Sequence, residues 1–279
     1  MKPPAFDYVC PQRLEEAVTL LAAARGAARV VAGGQSLLAL MNLRLATPAL
    51  LIDIARLPEL GVADERQDAV TLGASVTHAQ IEDGRVPDPS RGLMPHAAVS
   101  LGYRAIRNRG TIGGSLALAD PAAEWPAILA ALAANATLRG PHGRRSLDCA
   151  EFVTGIYETR LADDEIIESI EIPKLSADAR WGYVKLARKS GDFAAALAVA
   201  VVDPARGYSR LVLGAANGAP LILAEASRQL GKGGAGTGEA ALASAVAADL
   251  DGAADRRFDD FQRRLHETAA LRAARQAMA

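Results

Sequence analysis

Apolar positions recur at two spacings along the chain, and the change from one to the other divides it into elements. After Pro11, Leu14, Ala17, Val18 and Leu21 fall at helical spacing, with Gly26 as the stop. Arg29-Val-Val31 reads as a short β-branched strand, Leu37, Leu38, Met41 and Leu45 return to helical spacing, and residues 50–54 read as a buried strand. This order makes residues 1–57 an N-terminal α/β unit. In residues 58–175 the pattern predicts a strand at 69–73, a short helix capped by Thr77, an exposed loop at 84–92 and helices at 93–101 and 121–134. A hairpin around Gly140-Pro-His-Gly143 follows, then a strand of edge or hinge type at 165–172. Beyond the connection 173–179 come three strands, 181–188, 194–202 and 209–215, and three helices, 220–230, 239–250 and 258–277. Strands followed by helices give an α+β C-terminal unit, 178–279.

Composition narrows the function classes. Half of the 279 residues are hydrophobic but only 4% are aromatic, so the core is expected to be close helix-on-sheet packing with few large anchors. A net charge of -1 argues against nucleic-acid or membrane-surface binding. Cys10 and Cys149 form no disulfide framework or metal motif, and no apolar run is long enough for a signal core or a membrane span. The expected location is cytoplasmic. His78, His96, His142 and His266 have no ligand spacing and read as surface or capping residues, so no metal site is expected.

Two glycine pairs carry the candidate chemistry. Val30-Val-Ala-Gly-Gly-Gln-Ser-Leu37 and Thr111-Ile-Gly-Gly-Ser115 place paired glycines beside hydroxyl residues, a pattern suited to loops whose backbone N–H groups hold phosphate. Two such loops on one chain suit one ligand with two phosphates. Gly231-Lys-Gly-Gly-Ala-Gly-Thr-Gly238 lacks the residues of a phosphate loop and reads as a flexible linker. Neither the Gly-x-Gly-x-x-Gly nor the Walker pattern occurs, so a different dinucleotide fold is required.

Those two motifs, with Ala119-Asp-Pro-Ala-Ala-Glu124, Glu165-Ile-Ile-Glu-Ser-Ile-Glu-Ile-Pro173 and Lys185-Leu-Ala-Arg-Lys-Ser-Gly-Asp-Phe193, resemble the FAD-binding medium subunit of the molybdenum hydroxylases over nearly the whole chain. The resemblance implies an α+β chain: a two-subdomain FAD-binding fold of the p-cresol methylhydroxylase/vanillyl-alcohol oxidase type, then a C-terminal three-stranded antiparallel sheet with helices. It implies that Val30, Val31, Ala32, Gly33, Gly34, Gln35, Ser36 and Leu37, with Thr111, Ile112, Gly113, Gly114 and Ser115, hold the FAD pyrophosphate. Glu124 matches an acid that meets the hydroxyl-bearing chain of the cofactor, Leu101 and Ile167 match apolar contacts, and Lys185 and Phe193 match residues near the flavin. Asp120 reads equally as a cap before Pro121. Two positions depart from the family: Leu118 stands where His is frequent, and Phe193 where Tyr is common. Phe193 keeps the ring but cannot donate a hydroxyl hydrogen bond.

No nucleophile, acid–base pair or metal cluster is evident, so no catalytic residue is assigned and the chemistry falls to the cofactor. The implied partners are a large molybdenum-cofactor subunit and a small 2Fe-2S subunit, in a heterotrimer or a dimer of heterotrimers. The rival reading is a stand-alone FAD-dependent oxidoreductase acting directly on a small molecule.

Overall fold

Parallel strands β1 (Asp7–Val9), β2 (Ala28–Val31) and β3 (Leu50–Asp53) form the first sheet, in the order β1-β3-β2. The structure, a computed structural model, describes residues 2–232 and 238–279, so the centre of the glycine-rich run lies outside the described residues. Helix α1 (Leu14–Ala23) buries Leu14, Ala17, Val18 and Leu21 on this sheet, the stripe expected from its spacing. Helix α2 (Leu37–Asn42) follows the first glycine pair.

The second sheet is antiparallel. It contains β4 (Ala63–Glu65), β5 (Ala69–Gly73), β6 (Asn135–Gly140), β7 (Gly143–Asp148) and β10 (Ile166–Pro173), in the order β4-β5-β10-β6-β7. Strands β8 (Val153–Gly155) and β9 (Glu158–Thr159) form a separate ribbon. The strand expected at an edge or hinge is instead central, since Ile170 pairs with Leu72 on one side and Ala136 on the other. Alternation of Ile with Glu and Ser reports which faces are wet and carries no information about lateral neighbours. Helices α3 (His78–Glu82), α4 (Leu93–Val99), α5 (Arg104–Arg107) and α6 (Ile112–Leu118) bring the second glycine pair to this layer.

Helix α7 (Glu124–Ala131) has all its residues buried; the short α8 (Cys149–Phe152) lies nearby. One apolar cluster joins Leu72 and Ile170 of the second sheet to Trp125 and Ile128 of α7, and then to Val199 and Val212 of a third sheet. That sheet is antiparallel and has four strands: β11 (Arg180–Leu186), β12 (Ala196–Asp203), β13 (Tyr208–Gly214) and β14 (Leu221–Ile222). The three-stranded expectation is thus corrected. Strand β14 has only two residues, too few to show alternation, and the sequence reading absorbed them into the helix that starts at Ala224.

Every residue of β12 is buried. Leu197, Val199 and Val201 point into the cluster around α7, and Ala196, Ala198 and Ala200 into the one beneath α9 (Ala224–Gly231), α10 (Glu239–Gly252) and α11 (Asp260–Met278). Period-two alternation between two apolar layers explains the unbroken apolar run. Ala269, Ala270, Ala273, Ala274 and Ala277 let α11 lie close on the sheet.

Candidate cofactor-binding site

The first glycine pair leaves the carboxyl end of β2 as a loop with unspent donors. Among the described residues, the N–H groups of Gly33, Gly34, Gln35, Ser36 and Leu37 reach no protein acceptor, although Gly34 and Ser36 carbonyls accept from Leu38 and Leu40 in α2. Consecutive free N–H groups around a left-handed residue make an anion-binding concavity. Gly34 supplies that conformation at φ +71°, which would strain any other residue. Gly33 is glycine for another reason: a side chain there would collide with the Arg109 carbonyl and lie 2.9 Å from Gly110 Cα. The first glycine motif therefore touches the backbone of Arg109 and Gly110, immediately before the second.

The second motif is organised differently. It was expected as a loop, but Thr111 is the N-cap of α6, and its Oγ1 accepts the Gly114 N–H at 3.0 Å. The Ile112, Gly113 and Ser115 N–H groups donate to Val76, Ala74 and Thr111 carbonyls, so the segment from Ile112 to Ser115 is a fixed platform with its amides already engaged. Gly113 backs onto Ala74, where a methyl would come within 2.5 Å of the Ala74 Cβ. Gly114 faces solvent, and an added Cβ would meet only Thr111 Oγ1, at 2.8 Å. Arg107 holds the approach to this platform. It donates to Glu82 through Nε (2.7 Å) and Nη2 (2.9 Å), and through Nη1 to the Gly102 carbonyl at 2.9 Å. The Arg107 guanidinium keeps the Glu82 carboxyl below the usual carboxylate range. Arg104 forks onto Asp83, so α3 and α5 are tied twice.

Glu124 and Lys185 lie together in the interior. Lys185 Nζ donates to Glu124 Oε1 at 2.6 Å and to the Ser100 carbonyl at 2.9 Å, with the two side chains 8% and 4% exposed. Burial raises the Glu124 carboxyl above its ordinary range despite the opposing pull of Lys185. Among the described residues no other side chain donates to Glu124. Leu101 is buried just before the Gly102 carbonyl that Arg107 holds, and a methyl on Gly191 would come within 3.1 Å of that carbonyl. Phe193, two residues on, is 66% exposed. Ile167 is buried beside the bulge in β10. Asp120 Oδ1 accepts the Ala122 N–H, and its Oδ2 accepts from Tyr157, so this residue does cap the turn at Pro121.

Two histidines depart from the surface expectation. His266 is buried, with both ring nitrogens facing carbonyls, of Gln262 and Ala215. His78 is buried beneath Gly110 and accepts the Trp125 indole N–H on Nδ1 at 3.0 Å. Desolvation, aided by Arg107, pushes its pKa down to about 4. Sequence reading missed His78 and assigned no role to Arg107, because their partners Trp125 and Glu82 are distant in sequence.

Residues 4–175 match the family described as the FAD binding domain in molybdopterin dehydrogenase. The chain is 38% identical over 267 residues to the carbon monoxide dehydrogenase medium chain of Hydrogenophaga pseudoflava, covering 91% of this chain and 92% of that one. It is 40% identical over 205 residues to the nicotine 6-hydroxylase medium subunit of Paenarthrobacter nicotinovorans, covering 74% and 71%. A solved carbon monoxide dehydrogenase from H. pseudoflava superposes with a TM-score of 0.90 at 34% identity, over 99% of this chain and 98% of that one. With a match over most of its length, the chain belongs to the family of FAD-binding domains of molybdopterin dehydrogenases, FAD-carrying oxidoreductase subunits of multi-subunit enzymes.

Proposed function

We propose that in this medium subunit the FAD pyrophosphate sits on the loop from Gly33 to Leu37 and against the platform from Thr111 to Ser115. The observation that carries this reading is the run of backbone N–H groups at 33–37 that meet no acceptor among the described residues. Two negative phosphates meet those donors without an arginine fork, since Arg107 is committed to Glu82. Gly114 leaves room on the outer side, and Ser36 and Ser115 add hydroxyl donors. Glu124, with one oxygen held by Lys185, receives a hydroxyl of the cofactor's sugar-like chain, and Leu101, Ile167 and Phe193 border the ring system. The arrangement corresponds to a two-subdomain fold of the p-cresol methylhydroxylase/vanillyl-alcohol oxidase type, residues 1–57 and 58–175, followed by a C-terminal unit at 178–279.

FAD supplies the redox chemistry when bound. This chain's own residues bind it, orient it and shield part of it from water. Electrons come from the 2Fe-2S clusters of a small partner subunit, after a large molybdenum-cofactor subunit has oxidised the substrate, and leave for an external acceptor. The assembly is a heterotrimer or a dimer of heterotrimers in the cytoplasm. Among the described residues no helix is long and apolar enough to cross a membrane. Expression of the chain with and without the two partner subunits tests this account. Turnover of small-molecule donors is expected only from the complex; robust turnover by the isolated chain would favour a stand-alone oxidoreductase.

A further inference from the structure

Gly110 is held between two neighbours. On one side lies Gly33, whose own missing side chain allows the approach. On the other lies the edge of the His78 ring: a methyl on Gly110 would come within 2.7 Å of Nε2 and 2.8 Å of Cδ2. His78 is anchored to the same strand-like segment, since its backbone N–H donates to the Gly110 carbonyl at 2.9 Å. From behind, the fully buried Trp125 donates its indole N–H to Nδ1.

Indole nitrogen is a donor only, so the bond has a single chemical reading: Nδ1 carries the lone pair and Nε2 carries the hydrogen. The positive charge of Arg107 and the burial of the ring both disfavour a second proton. Among the described residues no protein group accepts a hydrogen bond from Nε2, although His78 is only 7% exposed. Among the described residues the only sealed side-chain polar atom without a partner is Asp203 Oδ1, so the Nε2 edge of this mostly buried ring opens outward beside Gly110 and is placed to meet an acceptor from outside the chain.

We propose that His78 is a further residue of the dinucleotide site, with its Nε2–H donating to an oxygen of the bound pyrophosphate beside Gly110. The inference rests on the FAD reading given above. The loop from Gly33 to Leu37 supplies donors on one side of the Gly33–Gly110 contact, and His78 supplies one from the other side. Trp125 is a positioning residue: it fixes the tautomer and touches no ligand.

The test uses deflavinated protein in its native complex, with FAD and ADP dissociation constants read by fluorescence and melting temperature read without ligand. ADP carries the pyrophosphate without the flavin. His78→Gln keeps an acceptor for Trp125 and a donor beyond it, and is expected to bind FAD within about three-fold of wild type. His78→Leu keeps the volume without the donor, and is expected to bind both FAD and ADP about ten-fold or more weakly, as for loss of a hydrogen bond to a charged group. Trp125→Phe is expected to weaken both a few-fold. Should His78→Leu not fold, His78→Gln and Trp125→Phe carry the same comparison. Unchanged affinity in His78→Leu or Trp125→Phe, or a His78→Gln protein as weak as His78→Leu, would overturn the proposal, because shape alone would then account for His78. A water bridging Nε2 would show as an ADP affinity indifferent to these changes. Wild-type protein that took up no FAD would refute the FAD reading itself, a separate outcome.

Discussion

Lys185 Nζ lies 2.6 Å from Glu124 Oε1, and this buried pair joins β11 to the first turn of α7. Removing the cation leaves a desolvated carboxylate. Lys185→Met should therefore cost about 3–5 kcal/mol of stability. The double variant Lys185→Met with Glu124→Leu should recover most of that loss while still binding FAD poorly, since the carboxylate is gone. Chemical denaturation with parallel FAD titration checks both parts. Full FAD affinity in the double variant would remove Glu124 from the site.

Gly33 and Gly114 should fail differently. A methyl at Gly33 meets the Arg109 backbone, which cannot swing aside, so Gly33→Ala should destabilise the fold by about 1–3 kcal/mol, as overpacking does, and weaken FAD binding as the motifs part. Gly114 is exposed and met only by its own cap, the Thr111 Oγ1 that a Cβ would crowd at 2.8 Å, so Gly114→Val should cost about 1 kcal/mol of stability, the scale of a disturbed N-cap, while weakening FAD binding by about ten-fold or more, through exclusion at a site where only glycine admits the ligand. A folded Gly114→Val protein with normal FAD content would count against the platform's role.

His78 should make stability depend on pH. The folded ring takes its proton only near pH 4, whereas the unfolded ring takes it near the ordinary imidazole value of 6.5. Below pH 6.5 the unfolded state binds more protons, so this contribution is complete above 6.5, declines as the pH falls towards 4 and is then lost, by up to about 3 kcal/mol. The buried Glu124 acts in the opposite sense, because its raised carboxyl favours the folded state on acidification. Urea midpoints measured for wild type and His78→Gln isolate the histidine. The difference between them should change between pH 6.5 and 4, and a constant difference would contradict the burial account.

The sequence made the elements legible wherever an apolar face repeated. Strand β5 and the Thr77-capped helix were expected as found, whereas the Gln80 half of the capping box emerges only in the structure. The short β1 and β14 were invisible, because two or three residues cannot show a period. At the site, the glycine pairs were legible as motifs but their division of labour was not. Whether an amide is free depends on what lies opposite: among the described residues nothing accepts from Gly33, while the Gly113 amide is taken by Ala74, and that pairing is tertiary. The same holds for His78, whose partners Gly110 and Trp125 are distant in sequence.

Flavin content tests the central claim most directly. The chain, purified with its co-purifying subunits, is denatured and the released flavin identified and quantified against protein. Stoichiometric FAD is expected in the native complex, together with its recovery when deflavinated protein is given FAD. Colourless protein that takes up no added FAD would contradict the account.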